Sequence, residues 1–365
     1  MKVYAMFFLI TIIFGLSWHQ KTKLIHTTML FLLVSYLFII TGWRNYAVGT
    51  DTINYVSFFN YFGSSVNDIN FFDLVGMIHA RFEYGYILLN KTVFYFTNNP
   101  RWLLVICALI SYYILFLFIK NLSIDSYLSI TMFVCLGYMA STMNTMRQGI
   151  ATAFVMLAYI SLLKRRSSFL CIVFIICAFL FHKTALVFLV VIIFKNWKYT
   201  KKNVVILMIS SLIIAAIYGK FENIINQVNY TDYANSNITS GYLGIILNIM
   251  LLIYFLIVGH IANEQSNSNL LTKYSSKINK DILPILIIIS IGVYIVAFNF
   301  SQLTRIATYF ELAAIIYVPN SLKEIKDNKL YTLLKFLTYI ILLSYFFAIL
   351  LLRPNWTNIT PYIFG

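Results

Sequence analysis

The sequence predicts an all-α polytopic membrane protein. Its 365 residues are 61% hydrophobic and only 11% charged, and the mean hydropathy of +0.82 lies far outside the range of soluble domains. Apolar stretches recur along the whole chain and indicate about 12 transmembrane helices. No internal repeat or separate soluble domain is visible, so we expect a single transmembrane domain over residues 1–365. The stretches are 3–18, 24–41, 102–119, 127–142, 147–163, 167–181, 184–194, 203–219, 243–261, 282–299, 304–319 and 332–352.

Several of these elements differ from a plain transmembrane helix. Stretch 3–18 lacks the separate regions of a signal peptide, so we expect a retained first span. Segment 84–98 is short and interrupted by an amide and a lysine, which favours a re-entrant segment or half-helix. An amphipathic interfacial stretch is expected before it, at residues 71–81. Stretches 167–181 and 184–194 are shorter than the ~20 residues of a perpendicular span, which also allows half-helices.

The basic residues predict the orientation of the chain. Lysine and arginine collect in cytoplasmic loops, and counting spans between such loops places loops 43–101 and 220–242 outside and loops 263–281 and 320–331 inside. If 84–98 crosses the membrane, the first of these loops moves to the cytoplasm. The basic loops contain Lys21 and Lys23, Lys164 to Arg166, Lys195 to Lys202, Lys273, Lys277 and Lys280, and Lys323, Lys326 and Lys329.

Composition also excludes several classes of function. The net charge of +15 is expected of a membrane protein whose loops face anionic lipid, and no basic run with interleaved aromatic residues predicts nucleic-acid binding. HExxH, Walker and GxSxG motifs are absent from the sequence, which argues against a zinc protease, an ATPase or a serine hydrolase. The cysteines lie in apolar segments and predict neither a disulfide framework nor a metal cluster. They are Cys107, Cys135, Cys171 and Cys177.

A polar stretch directly follows the second apolar segment. It contains Arg44 and Asp51, and charge retained at a membrane boundary indicates a function. Gly49 and Thr50 before the aspartate suit a tight loop that presents polar groups to a ligand. Alternatively, the threonine or the aspartate caps the next helix.

Carboxylates are rare in this chain, which narrows the choice of an acid or base. Only 12 are present. Asp51 and Glu83 are the best candidates for a general base, because each borders an apolar segment where partial desolvation is expected to raise the pKa of a carboxyl. Glu311 lies inside a predicted span and is expected to be a structural partner of a nearby cation. The other carboxylates predicted on the external side are Asp68, Asp73, Glu222 and Asp232.

Two arginines and one histidine lie at predicted external boundaries. Arg147 precedes Gln148, and Arg305 follows another glutamine closely. The planar guanidinium suits phosphate, so the pair is expected to hold a pyrophosphate; the alternative is snorkelling to lipid headgroups. His182 is either a proton carrier or phosphate-interacting group, or a hydrogen-bonded boundary residue.

These polar patches, taken in order, resemble the EpsG-like and Wzy-like bacterial polysaccharide polymerases. The order runs from residue 44 to residue 310 and so covers most of the chain. Tyr84 and Thr184 depart mildly from the family pattern, and neither departure removes a charged group. The patches are Arg44 with Val48–Asp51 and Tyr55; Phe82–Tyr86 with Leu88, Leu89 and Asn90; Met146–Ala151; Phe181–Leu186; and Arg305–Ala307 with Tyr309 and Phe310.

The resemblance implies glycosyl transfer between two oligosaccharide repeat units, each carried on undecaprenyl pyrophosphate. It implies the architecture of helical GT-C glycosyltransferases in the bacterial inner membrane, with an active site open to the periplasm or cell exterior. The product is O-antigen, capsule or exopolysaccharide, and no cofactor or metal is expected. Membrane lipid, a chain-length regulator and a flippase are the expected partners.

The expected site follows from this reaction. Arg44, Arg147 and Arg305 would bind the pyrophosphate, and Asp51 or Glu83 would act as the base. His182 would support the phosphate or orient a carboxylate. The residues expected to contact sugar are Tyr46, Tyr55, Gln148 and Tyr309.

Other membrane functions remain as alternatives. A lipid-linked oligosaccharide flippase shares many of these features but is expected to show a two-half repeat. An O-antigen ligase shares the chemistry and differs in its acceptor. A membrane acyltransferase is expected to carry its histidine deep in a span, and an ion-coupled transporter needs carboxylates at the midplane.

Overall fold

The computed structural model describes residues 1–16, 23–65, 82–164, 167–227, 239–265 and 277–365. In these ranges the chain forms 15 α-helices and three 3₁₀ segments and, apart from an isolated bridge between Arg44 and Phe364, no β-structure. The helices are α1 Lys2–Leu16, α2 Lys23–Gly42, α3 Thr52–Ser65, α4 Tyr84–Phe96, α5 Arg101–Leu122, α6 Ser126–Cys135, α7 Tyr138–Asn144, α8 Met146–Leu163, α9 Ser168–Phe179, α10 Val191–Phe194, α11 Lys201–Gln227, α12 Thr239–Gln265, α13 Lys277–Ala297, α14 Thr304–Leu322 and α15 Asn328–Leu352.

Six of these helices are long and apolar enough to cross a membrane, and α6 with α7 forms a seventh candidate bent by 50°. The all-α, multi-pass character is therefore confirmed, with fewer candidate spans among the described residues than the sequence predicts. Some of the remaining apolar stretches form shorter helices, such as Ser168–Phe179. The six are Leu24–Gly42, Arg101–Leu122, Met146–Leu163, Tyr242–Gln265, Lys280–Ala297 and Asn328–Leu352.

The predicted loops are partly helical. Loop 43–101 contains α3 and α4, and α4 is only 13 residues long. Helix α11 continues to Gln227, and α12 begins at Thr239, so both ends of the predicted loop 220–242 are helical. The predicted interfacial stretch 71–81 lies outside the described residues.

The helices pack into two compact units. The first contains residues 1–186 and 335–365. In this unit α8 packs against α5, α7 and α9, and an aromatic core fills the space among α3, α4 and α5. Tyr55 and Tyr86 meet edge to face at 5.6 Å between ring centroids, and Phe58 lies 4.1 Å from Phe82.

A buried ion pair joins Lys335 to Asp125 in the first unit. The Lys335 ammonium lies 2.5 Å from a carboxylate oxygen of Asp125 and donates a second hydrogen bond to the carbonyl of Gly15 at 3.0 Å. Asp125 also caps α6 by accepting from the backbone of Leu128. Each buried charge therefore has an opposite charge and further polar contacts, as burial of ions requires.

The second unit contains residues 187–334. Helix α13 packs against α14, α11 and α12. Three polar side chains connect α12, α13 and α14. The Tyr294 hydroxyl donates to Glu311 at 2.8 Å, and the Asn248 amide donates to the Tyr294 oxygen at 3.2 Å. Glu311 is buried, and its described partner is a hydroxyl rather than the cation that the sequence predicts.

We expect Glu311→Gln to leave the stability of the protein nearly unchanged, because the amide oxygen still accepts from Tyr294. Glu311→Leu removes that acceptor and should cost about 1–3 kcal/mol. Thermal unfolding in detergent measures both. Equal midpoints for the two variants would contradict a structural role for this hydrogen bond.

Candidate active site

Glu83 lies at the start of α4 and is nearly buried. Its backbone is extended (φ −79°, ψ 151°), and its side chain makes no capping hydrogen bond to the helix that follows. The carboxylate instead accepts hydrogen bonds from other parts of the chain. Glu83 therefore occupies the N-cap position of α4, but its side chain is paired with other segments and not with that helix.

Three donors from two distant segments meet this carboxylate. The Arg147 guanidinium pairs with Oε2. His182 Nδ1 lies 3.2 Å from Oε1, and the backbone N–H of Lys183 donates to the same oxygen at 3.4 Å. The structure thus brings together Glu83, Arg147 and His182, which the sequence singles out separately. We call these three residues the charged cluster.

A close backbone contact brings the histidine to the glutamate. The N–H of Gly85 donates to the carbonyl of Leu180 at 2.7 Å, which joins the start of α4 to the end of α9. A Cβ atom on residue 85 would lie 2.7 Å from that carbonyl oxygen, so the approach requires glycine. Phe181 stacks on Phe154 of α8 at 5.6 Å and holds the segment from the other side. His182 follows directly.

Arg147, the second residue of α8, is held by more than its ion pair. Its guanidinium lies 4.8 Å from the centre of the Phe82 ring, a cation–π contact. It also donates a hydrogen bond to the Tyr55 hydroxyl. The side chain remains 23% exposed, so Arg147 is held in place without being fully enclosed.

The cluster sets the charge of Glu83. Burial alone would raise the pKa of this carboxyl, but the hydrogen bond from His182 and the positive charge of Arg147 outweigh burial and lower the pKa to about 2. The expectation of a raised pKa is therefore wrong for Glu83. The carboxyl is partly desolvated, as the sequence predicts. The lowered pKa comes from Arg147 and His182, which lie 64 and 99 residues from Glu83 in the chain, so their proximity is not visible in the sequence.

The same contacts fix the tautomer of His182. An ionised carboxylate only accepts hydrogen bonds, so a neutral imidazole facing it carries its proton on Nδ1. The lone pair is then on Nε2. That atom is buried and has no hydrogen-bond partner among the residues that the structure describes, so its lone pair is not used by this part of the protein.

Arg44 and Asp51 occupy the loop before α3. Arg44 is completely buried, and its guanidinium donates to the carbonyls of Thr41, Val48 and Met143 and to the Thr52 hydroxyl. These contacts occupy its donors with protein acceptors, whereas the sequence predicts that Arg44 binds pyrophosphate. Asp51 is half-buried and lies one helical turn before Tyr55, whose N–H donates to its carbonyl at 3.1 Å.

The other predicted sugar-binding residues differ in accessibility. Tyr46 is half-buried and stacks under the guanidinium of Arg101 at 4.5 Å. Gln148 is buried beside Arg147 in sequence. In the second unit, Tyr309 is buried and Arg305 is half-buried.

Some predicted residues lie outside the described ranges, and some residues that contact the Arg44–Thr52 loop were not predicted. Asp68, Asp73 and Asp232 are not among the described residues. Neither Arg101 nor Asn144 stands out in the sequence, although each contacts the Arg44–Thr52 loop. In the described part of the chain, no group of three or more His, Cys, Asp or Glu side chains is arranged to hold a metal.

The fold and the charged cluster define a multi-pass helical membrane protein with a buried carboxylate, an arginine and a histidine at one site. The chain belongs to the EpsG family, whose family model matches residues 27–364. The resemblance found in the sequence is thus confirmed over nearly the whole chain, and membership indicates a polysaccharide-polymerase type of function. Neither the curated proteins nor the solved structures give a significant match to the chain.

We expect Gly85→Ala to separate His182 from Glu83, because the new methyl group would overlap the Leu180 carbonyl. Polymer formation should fall about tenfold or more, since small displacements at a reaction centre have large effects. Quantifying polymer in cells that carry the variant at matched protein level tests this. Gly42→Ala is a control for general glycine effects, because Gly42 also lies at a helix end and a Cβ atom there would come no closer than 3.4 Å to its neighbours.

Glu83→Gln should lower stability in a pH-dependent way. The folded-state pKa of Glu83 lies below its ordinary value of 4.5, so its stabilisation is present above pH 4.5 and is lost as the pH falls toward 2. At pH 7 the variant should be less stable by on the order of 1–3 kcal/mol, and the difference should shrink in acid. Thermal unfolding in detergent across this pH range measures the difference. A gap that does not change with pH would contradict the ion pair.

Proposed function

We propose that the protein polymerises oligosaccharide repeat units carried on undecaprenyl pyrophosphate. The observation that carries the proposal is the charged cluster, in which three family patches meet at one carboxylate. The reaction transfers the growing glycan from its lipid carrier to a second lipid-linked unit. A hydroxyl oxygen of the acceptor bonds to the anomeric carbon, the bond from that carbon to the phosphate oxygen breaks, and undecaprenyl pyrophosphate leaves with the electron pair.

His182 is the proposed proton acceptor for the attacking hydroxyl. Its Nε2 carries the lone pair, and Glu83 fixes the ring through Nδ1. A carboxylate with a pKa of about 2 is a weak base at neutral pH, whereas an imidazole suits this role. We therefore assign Glu83 to orienting the histidine and stabilising the imidazolium that forms. Asp51 remains a proposed second carboxylate that positions the acceptor sugar.

Arg147 is the proposed contact to the pyrophosphate. It is partly exposed, and its donors can stabilise negative charge as it develops on the leaving group. Arg305 is retained as a second candidate for this role on the sequence pattern alone. We assign Arg44 to holding the loop that carries Asp51, because its donors contact protein carbonyls.

Sugar contacts are proposed for Tyr46, Tyr55, Gln148 and Tyr309. Tyr46 is the most accessible of the four, and a half-buried aromatic face suits stacking on a sugar ring. Tyr55 would act at the floor of the site, since its hydroxyl already contacts Arg147.

The wider setting is also a proposal. We place the protein in the bacterial inner membrane as one transmembrane domain, with the charged cluster facing the periplasm or cell exterior. The shorter helices would complete about 12 membrane segments in a GT-C-like architecture. O-antigen, capsule or exopolysaccharide is the proposed product, and a flippase and a chain-length regulator are proposed partners.

The experiment is an in vitro polymerisation with the purified protein and the host's undecaprenyl-pyrophosphate-linked repeat unit. The wild type should produce a ladder of longer glycans. Arg147→Ala and His182→Ala should lower the rate by about 10²-fold or more, since each removes a group that acts on the reacting atoms. Arg305→Ala tests the second arginine separately.

Matched controls use residues of the same type at exposed positions. His260→Ala breaks an exposed histidine–glutamate pair with Glu264, and Arg353→Ala removes an exposed arginine; both should leave the ladder unchanged. A full ladder from His182→Ala would contradict the assignment of the base. Lipid-substrate binding without any ladder from the wild type would favour a flippase, and transfer only to a different acceptor would favour a ligase.

A further inference from the structure

Asn144, the last residue of α7, joins two distant segments through one carboxamide. Its Oδ1 accepts from the N–H of Thr50 at 2.9 Å, and its Nδ2 donates to the carbonyl of Thr357 at 2.8 Å. The residue is buried. Both ends of the amide are therefore used in protein contacts, one to the loop before α3 and one to the segment after α15.

The loop passes unusually close to this carboxamide. Gly49 has φ +97°, and a Cβ atom there would lie 2.8 Å from Asn144 Oδ1 and 2.7 Å from Thr52 Oγ1. Its N–H donates to the carbonyl of Asn358 at 2.8 Å. Only glycine accommodates both the conformation and the approach, so the loop is shaped to fit against the asparagine.

Arg44 fixes the same loop from its buried side. Its guanidinium donates to the carbonyl of Val48 at 3.3 Å and to the carbonyl of Met143 at 2.8 Å. Met143 precedes Asn144, so two consecutive residues at the end of α7 hold the loop. Arg44 thus joins the loop to the end of α7 through the Met143 carbonyl, and Asn144 joins it through the Thr50 N–H.

This joint lies between two parts of the proposed site. Thr50 is followed by Asp51, and one turn later the N–H of Tyr55 donates to the Asp51 carbonyl. The hydroxyl of Tyr55 contacts Arg147. On the other side, Asn144 precedes Arg147 by three residues. One carboxamide at the end of α7 thus contacts the loop that carries the aspartate, three residues before the arginine at the start of α8.

We propose that Asn144 is a positioning residue that holds Asp51 in register with the charged cluster. The inference rests on the proposed polymerase function for its catalytic consequence, but the loop contact itself is testable independently. Asn144 touches neither substrate nor reacting atoms in this account. It acts through the Thr50 backbone, and its replacement should reduce turnover more than substrate binding.

The loop contact is tested with a buried reporter. Val48 is 1% exposed, so Val48→Cys in a Cys177→Ala background should react slowly with a water-soluble maleimide. Adding Asn144→Ala should release the loop and raise the labelling rate about tenfold. Asn144→Asp keeps an oxygen that accepts from Thr50 and should restore part of the protection. Asn121→Ala, which removes another amide from the same unit, should have no effect.

The catalytic consequence is tested with the polymerisation assay on proteins without the reporter. Asn144→Ala should lower kcat about tenfold with KM nearly unchanged, and Asn144→Asp should recover part of kcat. Slow labelling in the alanine variant would overturn the proposal, and so would fast labelling with normal turnover. If the wild type makes no polymer, the polymerase function fails, while the labelling rates still support or overturn the loop contact.

Discussion

The nearly buried carboxylate of Glu83 is the group on which the rest of the site depends. A charge taken out of water is tolerated only when opposite charge and hydrogen bonds replace the solvent. Arg147 and His182 supply these, from segments 64 and 99 residues away. The start of α4, the start of α8 and the segment after α9 are therefore held at one point, and the proton on the histidine is fixed by the same contact.

Two arginines of the first unit show how burial decides a role. Arg44 is fully buried and donates to carbonyls and a hydroxyl, so its charge shapes a loop. Arg147 is partly exposed and pairs with one carboxylate, so part of its surface remains for a ligand. From sequence position alone both arginines are predicted to bind pyrophosphate, because Arg44 follows an apolar helix and Arg147 lies at the start of one. Accessibility separates them, and accessibility depends on packing between distant helices.

The sequence predicted the helical membrane fold because apolar composition and spacing are visible in one dimension. It also singled out Glu83, Arg147 and His182, which the fold brings together, since charged groups are rare in this chain. It could not predict the lowered pKa of Glu83, which depends on distances across the fold. Nor could it predict that the Arg44 guanidinium donates to backbone carbonyls. Asn144 was missed because its partners are the backbone N–H of Thr50 and the backbone carbonyl of Thr357, which any residue type provides.

The most direct test of the central claim is a cryo-EM structure of the protein with a non-transferable phosphonate analogue of the lipid-linked donor and an acceptor unit. We expect the pyrophosphate group to lie against Arg147 and the acceptor hydroxyl to lie within hydrogen-bonding distance of His182 Nε2, with Glu83 still bound to Nδ1. A donor bound elsewhere, with the charged cluster buried away from both sugars, would contradict the assignment of this cluster as the reaction centre.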